Sequence, residues 1–239
     1  MNVASCLLLV SCWTFAEDSR TCSLMQTLPP DGSWVSFDLK IDVDGREIRT
    51  IWTTRSVGRI QYQGKPCRII ELEQTCTGPI EPVYGIVPIT DQCWRAVIPE
   101  DEFGLGKYPL GRAVRVWVQS GASPPESVTS IAARDAIVDA LSRGPSANLV
   151  SASQPETIAG PRGELSCDVV KGVNQTEFAG LMLRLEHRVL NNKEVPFGVA
   201  GSRQAIKAGF GGTDYPANLE LKLRDYGQAA QAKLPGLAP

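Results

Sequence analysis

Apolar and polar residues alternate along residues 34–73, and this pattern predicts a β-meander. Every second residue of 35–43 is apolar, the period of a strand with one buried and one solvated face. The pair Asp44-Gly45 follows and favours a two-residue hairpin turn. The chain returns through β-branched and aromatic residues and turns again at Gln63-Gly64. We therefore predict three consecutive antiparallel strands that share one apolar face.

Further strands are predicted along the rest of the chain, at residues 93–98, 113–119, 164–170, 181–189 and 219–223. Pro196 and Gly198 interrupt one more. The glycine-rich residues 208–212 are predicted to form a loop, and the alanine-rich residues after Gly227 are predicted to fray.

One stretch has a helical pattern. Ser123 and Glu126 are spaced as in a capping box, with prolines that suit a first helical turn. An incomplete apolar stripe with interspersed alanines follows, and Gly144-Pro145 ends it. We expect this helix to pack across the apolar face of the sheet. The predicted fold is thus mainly β: a long, curved, half-barrel-like antiparallel sheet with one inserted amphipathic helix.

The composition fits a single β-rich domain over residues 24–233. The chain has 239 residues, 43% of them hydrophobic, which is enough for a full core. Residues 145–163 are small, polar and punctuated by prolines, and we predict a flexible insertion there. The 24 basic and 26 acidic residues nearly balance. Because no basic stripe with aromatic residues occurs, nucleic acid is not expected as a partner.

The first sixteen residues have the pattern of a signal peptide. Residues 3–10 are apolar, and small residues at Thr14 and Ala16 suit cleavage after Ala16. Alternatively, residues 9–12 resemble a bacterial lipobox, in which Cys12 is lipidated. Both interpretations lack a basic n-region, which a misassigned start codon would explain, and a buried N-terminal element is the remaining alternative. Export predicts an extracytoplasmic location, with membrane contact only through a lipid anchor.

Seven cysteines occur, and their spacing favours a disulfide over a metal site. No Cys-x-x-Cys is present, so structural zinc is not expected. Cys76 and Cys93 flank an irregular segment, and a bond between them would stabilise the fold by roughly 3 kcal/mol in the chain-entropy model. Cys67 suits a buried free thiol equally well.

Catalytic patterns are weak. His187 is the only histidine, on the apolar side of a predicted strand, and a core or rim role is favoured over general-base catalysis. A hydrolase would have to use carboxylates such as Glu71, Glu73 or Asp91, whose spacing gives no support. We assign no catalytic residue, metal or cofactor, and leave open whether the protein is an enzyme.

Several short segments carry a resemblance: residues 32–35, 52–58, 64–68, 70–71 and 98–100. With these segments the chain resembles a group of exported proteins of planctomycete-type bacteria that has no assigned activity. The resemblance implies no catalytic residue. The overall pattern is also similar to the half-barrel of periplasmic lipoprotein carriers, an analogy of fold alone. The insertion at 145–163 and the extra cysteines depart from such a carrier.

Three functions are compatible with these patterns. The leading hypothesis is an exported, non-enzymatic protein that binds a hydrophobic or lipid ligand, or an envelope protein, on the uncovered part of the apolar face. The alternatives are a structural component of the cell envelope and a hydrolase.

Overall fold

Antiparallel strands account for most of the architecture. The computed structural model describes residues 24–43, 45–77, 91–104, 106–128, 150–178, 181–210, 213–234 and 236. Within these ranges the strands are β1 (Trp34–Val43), β2 (Arg46–Tyr62), β3 (Lys65–Cys76), β4 (Gln92–Pro99), β5 (Arg115–Ser120), β6 (Glu126–Ser127), β7 (Val150–Ser151), β8 (Glu156–Gly160), β9 (Gly163–Phe178), β10 (Leu181–Asn191), β11 (Val199–Phe210) and β12 (Thr213–Gly227). Short 3-10 turns cover Glu100–Glu102, Leu110–Arg112 and Pro196–Gly198.

The strand order consists of two meanders joined at β1. The sheet runs β6-β5-β4-β3-β2-β1-β12-β11-β10-β9-β7, and β8 pairs with β9 away from this path. β1 therefore pairs with its sequence neighbour β2 and also with the distant β12, with Phe37 opposite Leu223. The prediction of a mainly β, antiparallel fold is confirmed.

The predicted meander is confirmed together with its turns. Val43 pairs with Arg46, which leaves a two-residue connection that includes Gly45 at φ 74°. Tyr62 pairs with Lys65, and the intervening Gln63 and Gly64 have φ values of 49° and 77°. Positive φ at both central residues is the geometry that matches the twist of a hairpin.

The strand register gives the first meander one apolar face. Val35, Thr54, Leu72, Trp94 and Val118 lie opposite one another in adjacent strands and so point to the same side. The main core cluster includes this face together with side chains from outside the sheet: Met25, Phe103, Leu110, Val195 and Phe197. The N-terminal segment is held there by backbone hydrogen bonds, because the amides of residues 26 and 27 donate to the Phe197 carbonyl at 2.8 and 3.3 Å.

The predicted helix is wrong at its start. The Ser123 amide donates to the Ser120 carbonyl, so Ser123 lies in a turn, where serine and proline are equally favoured. The chain then pairs with β5, Glu126 opposite Val118, and the Val128 amide donates to Val116. The described ranges contain no α-helix. Residues 129–149, where most of the predicted helix would lie, are outside them.

Two other segments that were predicted to be irregular contain strands. The described part of the predicted flexible insertion contains β7 and β8, and β8 pairs with β9 over five residue pairs. β11 extends to Phe210, into the predicted glycine-rich loop, whose residues 211 and 212 lie outside the described ranges. No helix within the described ranges is long and apolar enough to cross a membrane.

Candidate functional sites

The second face of the first meander carries a row of charged and aromatic residues. Trp34, Arg55, Glu71, Arg95 and Trp117 lie opposite one another on β1 to β5. Glu71 is fully buried and the Arg95 residue is 5% exposed. Charges inside a protein are costly unless they are paired and hydrogen-bonded. The buried charges of this row must therefore have partners.

Both carboxylate oxygens of Glu71 accept hydrogen bonds. Arg95 donates to Oε1 from Nη2 at 2.6 Å and from Nε at 3.1 Å. The backbone amide of Lys233 donates to Oε2 at 2.6 Å, and that of Leu234 donates to Oε1 at 3.0 Å. Charge-assisted hydrogen bonds of this kind are the strong ones in proteins, and together they satisfy the buried carboxylate.

Glu73 points to the same side, two residues along β3. Its carboxylate is paired with Arg55 Nη2 at 2.5 Å and with Lys233 Nζ at 3.0 Å. Burial raises the pKa of Glu73, but the hydrogen bonds from Arg55 and Lys233 outweigh it and lower the pKa below its usual value. Glu73 is therefore an anionic partner for the lysine.

Residues 228–234, which we name the strap, lie on this face after β12 ends. Trp34 Nε1 donates to the Gln228 carbonyl at 3.3 Å, and the Ala230 amide donates to Gly32 at 2.7 Å. Leu234 is 2% exposed. The prediction that residues after Gly227 fray is wrong for the strap. The amides of Lys233 and Leu234 donate to the carboxylate of Glu71, and this long-range contact is not visible in the local sequence pattern.

A groove of about 320 Å³ lies between β8 and strands β10 to β12. Apolar and charged residues both line it. Ile158 and Leu190 are apolar, and Glu156, Arg188, Arg203, Glu220 and Lys222 are charged. Leu221 and Leu223 also border the groove, but alternation along β12 directs their side chains to the face opposite Lys222. Arg188 is paired with Glu156, and Arg203 Nη2 lies 2.7 Å from Glu220 Oε1. The groove thus combines an apolar surface with two ion pairs and a further lysine.

His187 is a core residue of β10. It is 7% exposed, and its Nε2 lies 3.3 Å from Nε2 of Gln204. Burial lowers the pKa of His187 to about 4. The core role favoured from the sequence agrees with this position.

The carboxylates considered for a hydrolase have structural partners. Glu71 and Glu73 are brought to one face, where both are engaged by arginines and by the strap. Asp91 Oδ1 accepts a hydrogen bond from the Cys76 amide at 2.9 Å. The described residues contain no group of three or more side chains that could hold a metal ion.

The strand register does not bring Cys76 and Cys93 together. Cys93 lies opposite Glu73, and Cys76 lies three residues further along β3, about 10 Å away along the strand and on the other face. A disulfide needs Cα atoms within about 7 Å, so the predicted bond would require a change of register. The proposed lipidation site Cys12 and the signal segment 1–16 lie outside the described residues.

The open apolar face expected from the sequence is not found in the described part of the sheet. The large apolar side chains exposed among the described residues are few: Leu28, Val114, Val150 and Val173. A few exposed apolar residues are normal on protein surfaces. We therefore take the groove as the candidate ligand site.

No family model matches the sequence, and no curated protein matches it. Two solved structures share 10% sequence identity with it, and each alignment covers 85% of this chain. One is a presumed exported protein with a YmcC-like fold from Bacteroides fragilis, covered over 100% of its length with a TM-score of 0.37. The other is a presumed lipoprotein from Parabacteroides distasonis, covered over 99% with a TM-score of 0.38. Neither comes from the planctomycete-type bacteria of the sequence resemblance, which these comparisons leave unsupported.

Proposed function

We propose that the protein is an exported, non-enzymatic binding protein of the cell envelope, and that the groove between β8 and β10 to β12 binds a small amphipathic molecule. The observation that carries this proposal is the lining of the groove. Ile158 and Leu190 offer apolar contact, while Lys222 offers a cation that has no ion-pair partner within the described residues. Binding sites combine apolar walls with a few placed polar groups in this way.

The size of the groove limits the ligand. A volume of about 320 Å³ is at the small end of the range for ligand sites, roughly 300–1,000 Å³. The groove therefore suits a short acyl chain, or one part of a larger lipid, with an anionic group near Lys222.

The proposed ligand is tested with a fluorescent fatty acid as the probe. Ile158→Glu places a carboxylate among the apolar side chains and should weaken binding at least about tenfold, equivalent to about 1.4 kcal/mol. Val150→Glu is the matched control, because Val150 is 64% exposed and does not line the groove. Equal binding by both variants and the unmodified protein would reject the groove as the site. Saturable binding by none of them would favour the structural-component alternative.

The proposed export rests on the apolar run at residues 3–10 and is tested separately. The mature protein should begin at Glu17 or at a lipidated Cys12. Intact mass of the protein isolated from its host distinguishes these products, and an unprocessed Met1 in the cytoplasm would refute export.

A further inference from the structure

The strap and the sheet surface beneath it have the contacts of a peptide and its receptor. Two consecutive strap amides, those of Lys233 and Leu234, donate to the carboxylate of Glu71 at 2.6 and 3.0 Å. Two consecutive amides converge on one carboxylate only where the main chain bends, as it does at residues 233 and 234, because the amides of an extended strand point alternately to opposite sides. The carboxylate therefore recognises bent main chain rather than one particular side chain. Arg95 also donates to this carboxylate and holds it in place.

Two side-chain contacts add specificity. Lys233 Nζ lies 3.0 Å from Glu73 Oε1, and the next residue, Leu234, is 2% exposed. The surface therefore selects a basic residue followed by an apolar residue of leucine size.

The strap can leave without breaking the sheet. β12 ends at Gly227, and the strap belongs to no strand. Its main-chain bonds are few, and none of them is part of the ladder between neighbouring strands.

A partner could also make a bond that the strap does not make. Arg55 Nη1 is buried and has no hydrogen-bond partner within the described part of the chain, although Nη2 of the same guanidinium is paired with Glu73. Because a buried donor without an acceptor is costly, a peptide carbonyl placed there would favour an incoming segment over the strap.

We propose that Glu71, Glu73 and Arg95 form a receptor site for a bent segment of a partner protein, in which a basic residue precedes a leucine-sized apolar one. The strap fills this site in cis until such a segment displaces it. The site shares no residue with the groove.

The test uses the full-length Leu234→Asp protein, whose strap has lost its buried anchor, and a fluorescein-labelled peptide with the sequence of residues 228–236. Saturable binding is expected. Binding to the unmodified protein should be at least about tenfold weaker, because the tethered strap competes at an effective concentration on the order of millimolar. Val150→Asp, an exposed change on β7, is the matched control and should behave as the unmodified protein.

A double-mutant cycle identifies the receptor residue. Replacing the lysine of the peptide by alanine should weaken binding about fivefold when Glu73 is present. The same replacement should have little effect on a protein that also carries Glu73→Gln. A scrambled peptide that binds equally well, or a folded Leu234→Asp protein that binds no peptide, would overturn the proposal.

If the Leu234→Asp protein does not fold, hydrogen exchange on the unmodified protein tests whether the strap opens independently of the sheet. The amides of Lys233 and Leu234 should exchange through local opening, ahead of those of β3. Exchange of the strap only together with β3 would also overturn the proposal. Ile158→Glu should leave peptide binding unchanged, so failure of the groove and failure of the peptide site are distinguishable.

Discussion

Glu71 and Arg95 lie opposite each other on β3 and β4, and the guanidinium donates two hydrogen bonds to a single carboxylate oxygen. Their side chains are 0% and 6% exposed. Neither charge can be solvated if the other is removed. The pair therefore makes the fold dependent on both partners, even though an apolar pair of similar volume would stabilise it as well or better.

Arg95→Ala should lower the free energy of unfolding by about 3–5 kcal/mol, because it leaves the carboxylate of Glu71 buried without its cation. Denaturant titration measures the change. Arg203→Ala is the control, since its pair with Glu220 is 67% and 39% exposed and should contribute no more than about 1 kcal/mol. Equal effects of the two substitutions would contradict the buried character of the Glu71–Arg95 pair.

Trp52→Ala should destabilise the protein by about 3–5 kcal/mol through loss of a large core side chain. Trp52 is 2% exposed, lies opposite Phe37, and stacks on Trp94 with ring centroids 6.2 Å apart. The indole is therefore packed between the side chains of neighbouring strands. The melting temperature should fall clearly, whereas Val173→Ala, at an exposed site, should leave it nearly unchanged. An unaffected melting temperature for Trp52→Ala would show that the indole is not part of the core.

The local signals in the sequence were sufficient for the meander but not for the polar face. The alternation of apolar and polar residues and the two turn pairs predict β1 to β3, because both signals lie within a few neighbouring residues. The contact between Glu71 and the Lys233 amide spans 162 residues, and no short-range pattern predicts it. One signal was available in the sequence: Arg95 interrupts the otherwise apolar run of the segment QCWRAVIP, and a charge inside a run that is buried on both faces requires a buried partner.

The helix prediction failed for a related reason. Ser123, the prolines and Glu126 satisfy the local rules of a helix start, but the same residues also suit a turn that leads into an edge strand. Pairing of Glu126 with Val118 on β5 decided between them. Tertiary pairing overrides local propensity in such short segments.

Cys76 should react with maleimide before the other three described cysteines. It is half-buried, while Cys67, Cys93 and Cys167 are buried. Burial raises the pKa of Cys93 to about 12, so that thiol stays protonated and unreactive at neutral pH. Peptide mapping after brief labelling gives the order. Non-reducing mapping of the same sample tests the disulfide, and a Cys76–Cys93 cross-link would show that Cys93 does not lie opposite Glu73.

Stability should fall between pH 6.5 and pH 4 through His187. Burial lowers the pKa of this residue to about 4 in the folded protein, whereas in the unfolded chain it is close to 6.5. The unfolded state therefore takes up a proton first as the pH falls, and the stability contributed by neutral His187, fully present above pH 6.5, is lost progressively down to pH 4. The loss is on the order of 3 kcal/mol.

The control is His187→Gln, whose side chain takes up no proton in this pH range. Because the chain has one histidine, the difference between the pH profiles of unfolding for the two proteins isolates the contribution of His187. Parallel profiles across this pH range would contradict the buried, neutral state of the imidazole beside Gln204.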